Sequence, residues 1–401
     1  MKLAVLGTDP DIVALVAAAT QAGHAIVWLG DVRQEERDPL RELLPGLRVS
    51  DDWESLLDHR LADAVLVGRG NAPESLRAEQ LKRLAADIMP VLAVHPIGTS
   101  VLAYFELDMA RHEVHGILRH YAPLAGAPAI DEMHDWVATG AGPIGAIHQI
   151  ILQRSLDDCE RDSIIRHLAR DAEVLRKVAG GIRTVSAVGP RVADVSYASL
   201  QVQMTTPGPA TVRWAVAPAP SGANSATLQL VGDRGAAALD LSPDADTIRT
   251  SIGGDTREIA LSTFDAPRVA IDQLAAALAA NGTDRSEAAS TWQTATAAME
   301  VVDTIELSLQ KGRTIEVHQQ RLTEQLAFRG TMAAFGCGLL LVAFFVLILA
   351  GVIGDILGIN IRQFWPIALL AVLALFLLMQ ALPWLVKRRK PSADAIHERG
   401  R

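Results

Sequence analysis

The sequence predicts an α/β protein of more than one domain, with a doubly wound parallel sheet at its N-terminus and two membrane-spanning helices near its C-terminus. Three observations support this prediction. The chain has 401 residues, which suits two domains and an appendage. Short apolar strands alternate with helical stretches over the first 120 residues. Two long apolar runs without a charged residue lie in the last eighty residues or so.

The N-terminal strands and helices follow one another in the order of a parallel α/β sheet. Apolar strands are predicted at residues 3–6, 25–29, 64–67 and 91–94, and helical stretches at residues 10–22, 53–59 and 74–86. In this arrangement a ligand binds in a crevice at the carboxyl ends of the strands. The pattern therefore indicates a mononucleotide- or dinucleotide-binding type of fold.

The turn after the first strand is where a dinucleotide-binding fingerprint would lie. That fingerprint needs three glycines: for the turn, for close approach of the pyrophosphate, and for packing of the helix on the strand. Gly7 provides the first, whereas Asp9 and Ile12 stand at the other two positions. The candidate cofactor-binding residues are Gly7 and Thr8 in this turn and Asp31 after the second strand. Asp31 stands at the spacing used to bind a ribose hydroxyl.

Asp9 has a second interpretation, as the N-cap of the first helix. It directly precedes Pro10, and an aspartate before a proline at the first helical position is a favourable cap. The carboxylate would then accept the same free N–H groups that a diphosphate needs. We therefore expect Asp9 to cap the helix and to oppose a bound dinucleotide.

Several later segments carry a resemblance to a known family. They are residues 53–57 with 62–67, 90–96, 142–147, 170–180, 184–187, 232–235 and 289–315. In order and spacing they resemble the glucose–fructose oxidoreductase, inositol dehydrogenase and MocA (Gfo/Idh/MocA) family over about residues 1–318. The resemblance implies a Rossmann-like NAD(P)-binding domain at residues 1–122 and an α+β domain with an open, mainly antiparallel sheet at residues 123–318.

The resemblance also implies an active site between the two domains, NAD or NADP as cofactor, and a lysine and a histidine that assist proton transfer. His95 stands at the place of the lysine, Arg170 at that of the histidine, and Glu173 at that of a family aspartate. His95 is a candidate general base because imidazole titrates near neutral pH. Arg170 does not release its proton, so it either binds an anionic ligand or pairs with Glu173, three residues along the helix.

Residues 331–354 and 364–386 are predicted to cross a membrane as a helical hairpin, since each exceeds the roughly 18 apolar residues that this requires. A linker at residues 319–330 precedes the hairpin and a basic tail at residues 387–401 follows it. Four basic residues flank each end, whereas the connecting loop carries only Arg362, which predicts that both ends face the cytoplasm. The alternative is an apolar hairpin buried in a globular core.

Composition narrows the remaining functions. A net charge of −9 argues against nucleic acid as a partner. The two cysteines, Cys159 and Cys337, cannot form a disulfide framework, which suits a reducing compartment. No metal site is expected at His112, His115 and His120, because no cysteine or carboxylate lies at a recognised ligand spacing.

Two functional hypotheses remain. In the first, the fold has lost its cofactor and catalytic motifs and serves as a binding or scaffolding module at the inner face of a cytoplasmic or inner membrane. Its partners would then be the lipid bilayer and other proteins, or further copies of the chain. In the second, the chain is an NAD(P)-dependent dehydrogenase of a sugar-like or polyol substrate, with His95 as the acid–base group. The altered positions 9, 12, 95 and 170 favour the first hypothesis.

Overall fold

The structure is a computed structural model, and it describes residues 1–58, 61–190, 196–219, 223–241, 247–280 and 285–317. Met1–Gln319 form one compact unit. The predicted membrane hairpin at residues 331–354 and 364–386 lies outside the described residues. Among the helices that are described, none has the length and apolar character needed to cross a membrane.

The first sheet has six strands in the described part of the chain, all parallel. They are β1 Lys2–Leu6, β2 Ala25–Gly30, β3 Val49–Ser50, β4 Ala64–Val67, β5 Val91–Val94 and β6 Leu118–Tyr121. Their order is β3-β2-β1-β4-β5-β6, so the direction of winding reverses between β1 and β4. This is the predicted doubly wound sheet, and the carboxyl ends of β1 and β4 meet at its switch point.

Four helices connect these strands: α1 Pro10–Gln21, α2 Arg37–Leu43, α3 Glu74–Ala86 and α4 Val101–Val114. The segment predicted as a helix at residues 53–59 forms a short 3-10 helix, Trp53–Leu57. The sequence did not predict α2 or the edge strands β3 and β6. β3 has only two residues, and β6 contains Arg119 and His120, so it lacks the continuous apolar run that marked the predicted strands.

The second sheet has nine strands in the described residues. The remaining elements are α5 Pro128–Thr139, β7 Ile147–Leu156, α6 Arg161–Ala179, β8 Thr184–Val188, β9 Gln201–Thr205, β10 Thr211–Pro218, β11 Ser225–Gly232, β12 Gly235–Asp240, β13 Thr247–Ile252, β14 Asp255–Ala260, α7 Ala266–Ala279, α8 Arg285–Lys311 and β15 Ile315–Glu316. The strand order is β14-β13-β12-β11-β7-β10-β9-β8-β15. Only β7 and β10 pair in parallel, so the sheet is mainly antiparallel, as the resemblance implied.

Helices α6 and α8 join the two sheets. Helix α6 buries Ile164, Ile165 and Leu168 on the side that faces β7 and β10. Helix α8 packs on α6 and also reaches α4, where Trp292 stacks on Tyr104 with ring centroids 5.2 Å apart. Because buried apolar area is the main stabilising term, this shared core holds the two sheets in a fixed arrangement.

Helix α7 returns the chain to the first sheet. It packs on α1, and its buried Ile271 and Leu274 belong to the same apolar cluster as Leu15 on α1. The first sheet is therefore covered in part by a helix that begins at Ala266, well after the last strand of that sheet ends at Tyr121. The packing around the first sheet therefore includes residues from the later part of the sequence as well as from the first 122 residues.

Candidate functional site

The candidate site lies at the carboxyl ends of β1, β2 and β4, where the loops of the first sheet meet α6. Gly7 adopts a φ of +76°, a conformation that glycine reaches without steric cost. A β-carbon added at Gly7 would come within 2.5 Å of an Arg77 nitrogen, so the turn is filled by a neighbouring side chain. Thr8, the second candidate cofactor residue, is buried and accepts a hydrogen bond from the backbone N–H of Arg33 at 2.8 Å.

Asp9 caps α1, as predicted. One oxygen of its carboxylate accepts a hydrogen bond from the Ile12 N–H at 3.0 Å. The other oxygen accepts from the Arg69 N–H at 3.1 Å, and the Asp9 side chain is 1% exposed. The free N–H groups at this helix terminus therefore already face a buried negative charge that belongs to the chain.

Ile12 fills the space that a glycine leaves in a dinucleotide fingerprint. A β-carbon at Gly68, just after β4, would lie 2.5 Å from the Ile12 side chain and 3.2 Å from the Asp9 carboxylate. Close packing of α1 on the sheet therefore depends on Gly68, after β4, and not on a glycine in the helix. The local packing is complete without a ligand.

Asp31 is also satisfied within the chain. Its carboxylate pairs with the guanidinium of Arg77 and accepts hydrogen bonds from the backbone N–H groups of Asn71 at 2.9 Å and Ala72 at 3.2 Å. Arg77 is 1% exposed; burial lowers its pKa, and the Asp31 carboxylate offsets part of that effect. A ribose hydroxyl would have to displace these partners to reach Asp31.

His95 follows β5, and its imidazole points into the protein with no exposed surface. Its Nδ1 lies 3.0 Å from the Tyr104 hydroxyl and its Nε2 lies 3.4 Å from the Ala169 carbonyl oxygen. The Tyr104 oxygen accepts from the Ile97 N–H, so its own proton is free for Nδ1, and the imidazole proton belongs on Nε2. Burial lowers the pKa of His95 to about 4, although Glu173 acts in the opposite direction.

Arg170 and Glu173 have separate partners, so the ion pair expected between them is not formed. Arg170 pairs with Asp11 on α1 and donates from Nε to the His95 carbonyl oxygen at 2.9 Å. Glu173 is buried and accepts a hydrogen bond from His120 at 2.6 Å. Burial raises the pKa of Glu173, but the charge and hydrogen bond of His120 outweigh this effect and the pKa is lowered overall.

His112, His115 and His120 do not converge. The His112 and His115 rings lie edge to face with centroids 6.4 Å apart, whereas His120 faces Glu173. Within the described residues no group of three His, Cys, Asp or Glu side chains is arranged to hold a metal ion.

A cleft of about 370 Å³ lies beside these residues. Its lining is Arg33, Arg69, Gly70, Ala72, Glu74, Arg77, Pro96, Ile97 and Arg166. Its arginines were not among the site residues predicted from the sequence. One signal was present: Arg69 stands between two glycines directly after a predicted strand, a position from which a side chain faces the crevice. Arg166 comes from α6, and no local pattern connects it to this edge.

The residues present do not fit the usual position of a dinucleotide. Asp9 occupies the helix terminus that a pyrophosphate needs, and Arg77, Asn71 and Ala72 occupy the carboxylate that a ribose needs. The buried His95 has both ring nitrogens facing groups of the protein. A hydride-transfer reaction would need a dinucleotide bound beside Asp9 and Asp31. It would also need an accessible acid–base group at the place of His95.

No family model and no curated protein matches this sequence. Solved oxidoreductase structures do match the fold. An oxidoreductase of Thermotoga maritima is 15% identical with a TM-score of 0.63, and the match covers 79% of this chain and 98% of that one. A protein of gentamicin A biosynthesis, solved with NAD, is 18% identical with a TM-score of 0.61 and coverages of 79% and 96%. A 3-ketoreductase of Actinomadura kijaniata, solved with NADP, is 17% identical with a TM-score of 0.60 and coverages of 77% and 97%.

These likenesses define the class of fold: a Rossmann-like parallel sheet followed by a second mixed sheet, as in NAD- and NADP-dependent oxidoreductases. At identities of 15–18% they establish the fold and leave the chemistry to the residues of this chain.

Proposed function

We propose that this chain is a ligand-binding module built on the fold of the Gfo/Idh/MocA oxidoreductases, and that it does not transfer hydride. One observation carries the proposal: each group that would hold a dinucleotide or move a proton is already bound to another group of the chain. Asp9 caps α1, Asp31 pairs with Arg77, and His95 lies between Tyr104 and Ala169. Each group would have to leave a buried partner before it could serve a cofactor or substrate.

The test is equilibrium binding of NADH and NADPH to the purified full-length chain, followed by tryptophan fluorescence or calorimetry. We expect no saturation in the micromolar range, because loss of two or three charge-assisted hydrogen bonds at about 1.5–3 kcal/mol each moves micromolar binding to millimolar or weaker. The Asp9→Gly variant is expected to gain dinucleotide affinity, since it frees the helix terminus; it also leaves the N–H groups of Ile12 and Arg69 without their acceptor, at a cost in stability of about 1–3 kcal/mol.

Asp265→Gly is the matched control for this experiment. Asp265 caps α7 in the same way, with a proline at the start of the helix and a hydrogen bond from the Arg268 N–H at 3.0 Å. Its loss should leave dinucleotide binding unchanged. A wild-type dissociation constant in the low micromolar range, with turnover of a sugar or polyol, would support the dehydrogenase hypothesis instead and would require His95 to become accessible.

The proposal includes a location at the cytoplasmic face of a membrane, which rests on the sequence of residues 331–386 and its flanking charges. A reporter that is active only in an oxidising space outside the cytoplasm should stay silent when fused after Arg401. The same reporter inserted in the connecting loop at residues 355–363 should be active. Strong activity of the first fusion would reverse the assigned topology.

A further inference from the structure

The cleft beside β1 and β4 is strongly basic, in a chain whose net charge is −9. Arg33, Arg69, Arg77 and Arg166 line it, and within the described part of the chain Glu74 is the one acidic residue of the lining. Glu74 is held by the Thr99 backbone N–H at 2.9 Å and the Thr99 hydroxyl at 3.0 Å. A concave surface of one charge sign concentrates oppositely charged small molecules.

Three of these arginines have little charge compensation. Arg77 pairs with Asp31, whereas the one ion-pair partner of Arg33 among the described residues is the exposed Glu35, at 3.6 Å. Arg69 lies 3.9 Å from Asp9, a carboxylate already bound to the terminus of α1. Arg166 has no ion pair among the residues that the structure describes. Among the described residues the cleft thus presents one guanidinium without an ion pair, that of Arg166, and two whose carboxylate partners are exposed or already bound elsewhere.

The arginines also act on one another. Burial lowers the pKa of Arg69, and the charge of Arg166 lowers it further; Asp9 opposes these effects, while Arg170 and Arg33 add to them. Mutual repulsion of this kind reduces the stability of the folded chain. A bound anion would relieve it, and the free energy released would contribute to the affinity for that anion.

Several backbone N–H groups around the cleft already have an acceptor within the chain. The N–H groups of Asn71 and Ala72 bind Asp31, that of Ile97 binds Tyr104, and that of Thr99 binds Glu74. The charged donors that line the cleft are its arginine side chains. Guanidinium is planar and presents paired N–H groups that match the oxygens of a phosphate.

We propose that this cleft binds a small phosphate-bearing molecule of about the size of a sugar phosphate, held by Arg33, Arg69 and Arg166. A dianionic phosphate offers three strong acceptor oxygens, which suits three guanidinium groups from separate segments. The volume of about 370 Å³ is at the small end of the range for small-molecule sites, about 300–1,000 Å³. This inference rests on the proposed function, because it assigns the cleft to a ligand other than a dinucleotide.

Calorimetric titration of the purified full-length chain with glucose 6-phosphate tests the proposal, with glucose, inorganic phosphate and citrate as comparison ligands. We expect saturable binding of glucose 6-phosphate that weakens as salt is added, since salt screens charge pairs. Glucose should not bind, and inorganic phosphate should bind more weakly than its ester. Binding of citrate in preference to both phosphates would overturn the assignment of the ligand class.

Arg166→Gln and Arg33→Gln are the informative variants. Neither removes the partner of a buried carboxylate, so each is expected to fold. Each should weaken binding of glucose 6-phosphate by about 10- to 150-fold, the loss expected for a hydrogen bond to a charged group. Arg249→Gln is the matched control, because Arg249 lies on β13, is half-exposed and pairs with Asp240 away from the cleft.

The outcomes separate the two proposals. If neither phosphate binds and the dinucleotides do not bind either, the anion site is refuted and the non-catalytic module stands. If NADPH or NADH binds at low micromolar concentration and Arg166→Gln weakens that binding, both proposals fail and the arginines belong to a cofactor site. Equal binding of glucose 6-phosphate by the wild type and both cleft variants would place the ligand elsewhere on the protein.

Discussion

Replacing Asp171 with Ala is expected to lower the free energy of unfolding by about 3–5 kcal/mol. Asp171 lies on α6 and is fully buried. It accepts two hydrogen bonds from the guanidinium of Arg154 on β7, at 2.5 and 2.7 Å, and one from the Trp214 indole on β10 at 2.8 Å. Without Asp171 a buried arginine charge and an indole N–H lose their acceptor in the centre of the second domain.

Equilibrium unfolding in guanidinium chloride measures this effect through the midpoint of the transition. The matched control is Asp240→Ala, which removes the partner of Arg249 on the surface; the Asp240 side chain is 62% exposed. Exposed ion pairs contribute about 0–1 kcal/mol, so the control should unfold close to the wild type. Equal midpoints for the two variants would mean that water or another acceptor reaches Arg154.

Acidification is expected to destabilise the protein through His95, by about 3 kcal/mol between pH 6.5 and pH 4. The pKa of this imidazole falls from 6.5 in an unfolded chain to about 4 in the folded one, because burial disfavours its charged form. In that window the unfolded state binds a proton that the folded state does not. Stability is therefore fully present above the unfolded pKa and is lost as the pH falls toward the folded one.

Four titratable or charged residues surround His95 and affect this measurement. They are Glu173, His120, Tyr104 and Arg170. Glu173 has a lowered pKa in the folded state, so its own contribution is lost at lower pH and in the same direction. His95→Gln should reduce the loss of unfolding free energy between pH 6.5 and pH 4. The loss that comes from Glu173 should remain. The exposed His112 provides the control variant, His112→Gln. An unchanged pH profile in His95→Gln would show that the imidazole has the same pKa in the folded and unfolded states.

Local patterns predicted the first sheet well. The runs at residues 3–6, 25–29, 64–67 and 91–94 became β1, β2, β4 and β5 with bounds within one residue. The cap at Asp9 was also predictable, because an aspartate before Pro10 forms its hydrogen bonds within the same turn. Both features depend on residues that lie close together in the sequence.

The site itself was less predictable, because its contacts join distant segments. The three-residue spacing of Arg170 and Glu173 suggested an ion pair, but Arg170 reaches Asp11, 159 residues earlier, and Glu173 reaches His120. Likewise, the position of His95 after a strand gave no information on the direction of its imidazole. The tertiary arrangement of α1, α4 and α6 decides these partners, and no local spacing encodes it.

The contacts of Arg170 have a mechanical consequence. From α6 of the second domain, this side chain binds Asp11 at the start of α1 and the carbonyl of His95 at the end of β5. Any hinge rotation that opened the domains would have to break both bonds, at about 1.5–3 kcal/mol for each contact to a charged group. A rotation that separates α6 from the first sheet is therefore opposed by two contacts of one side chain.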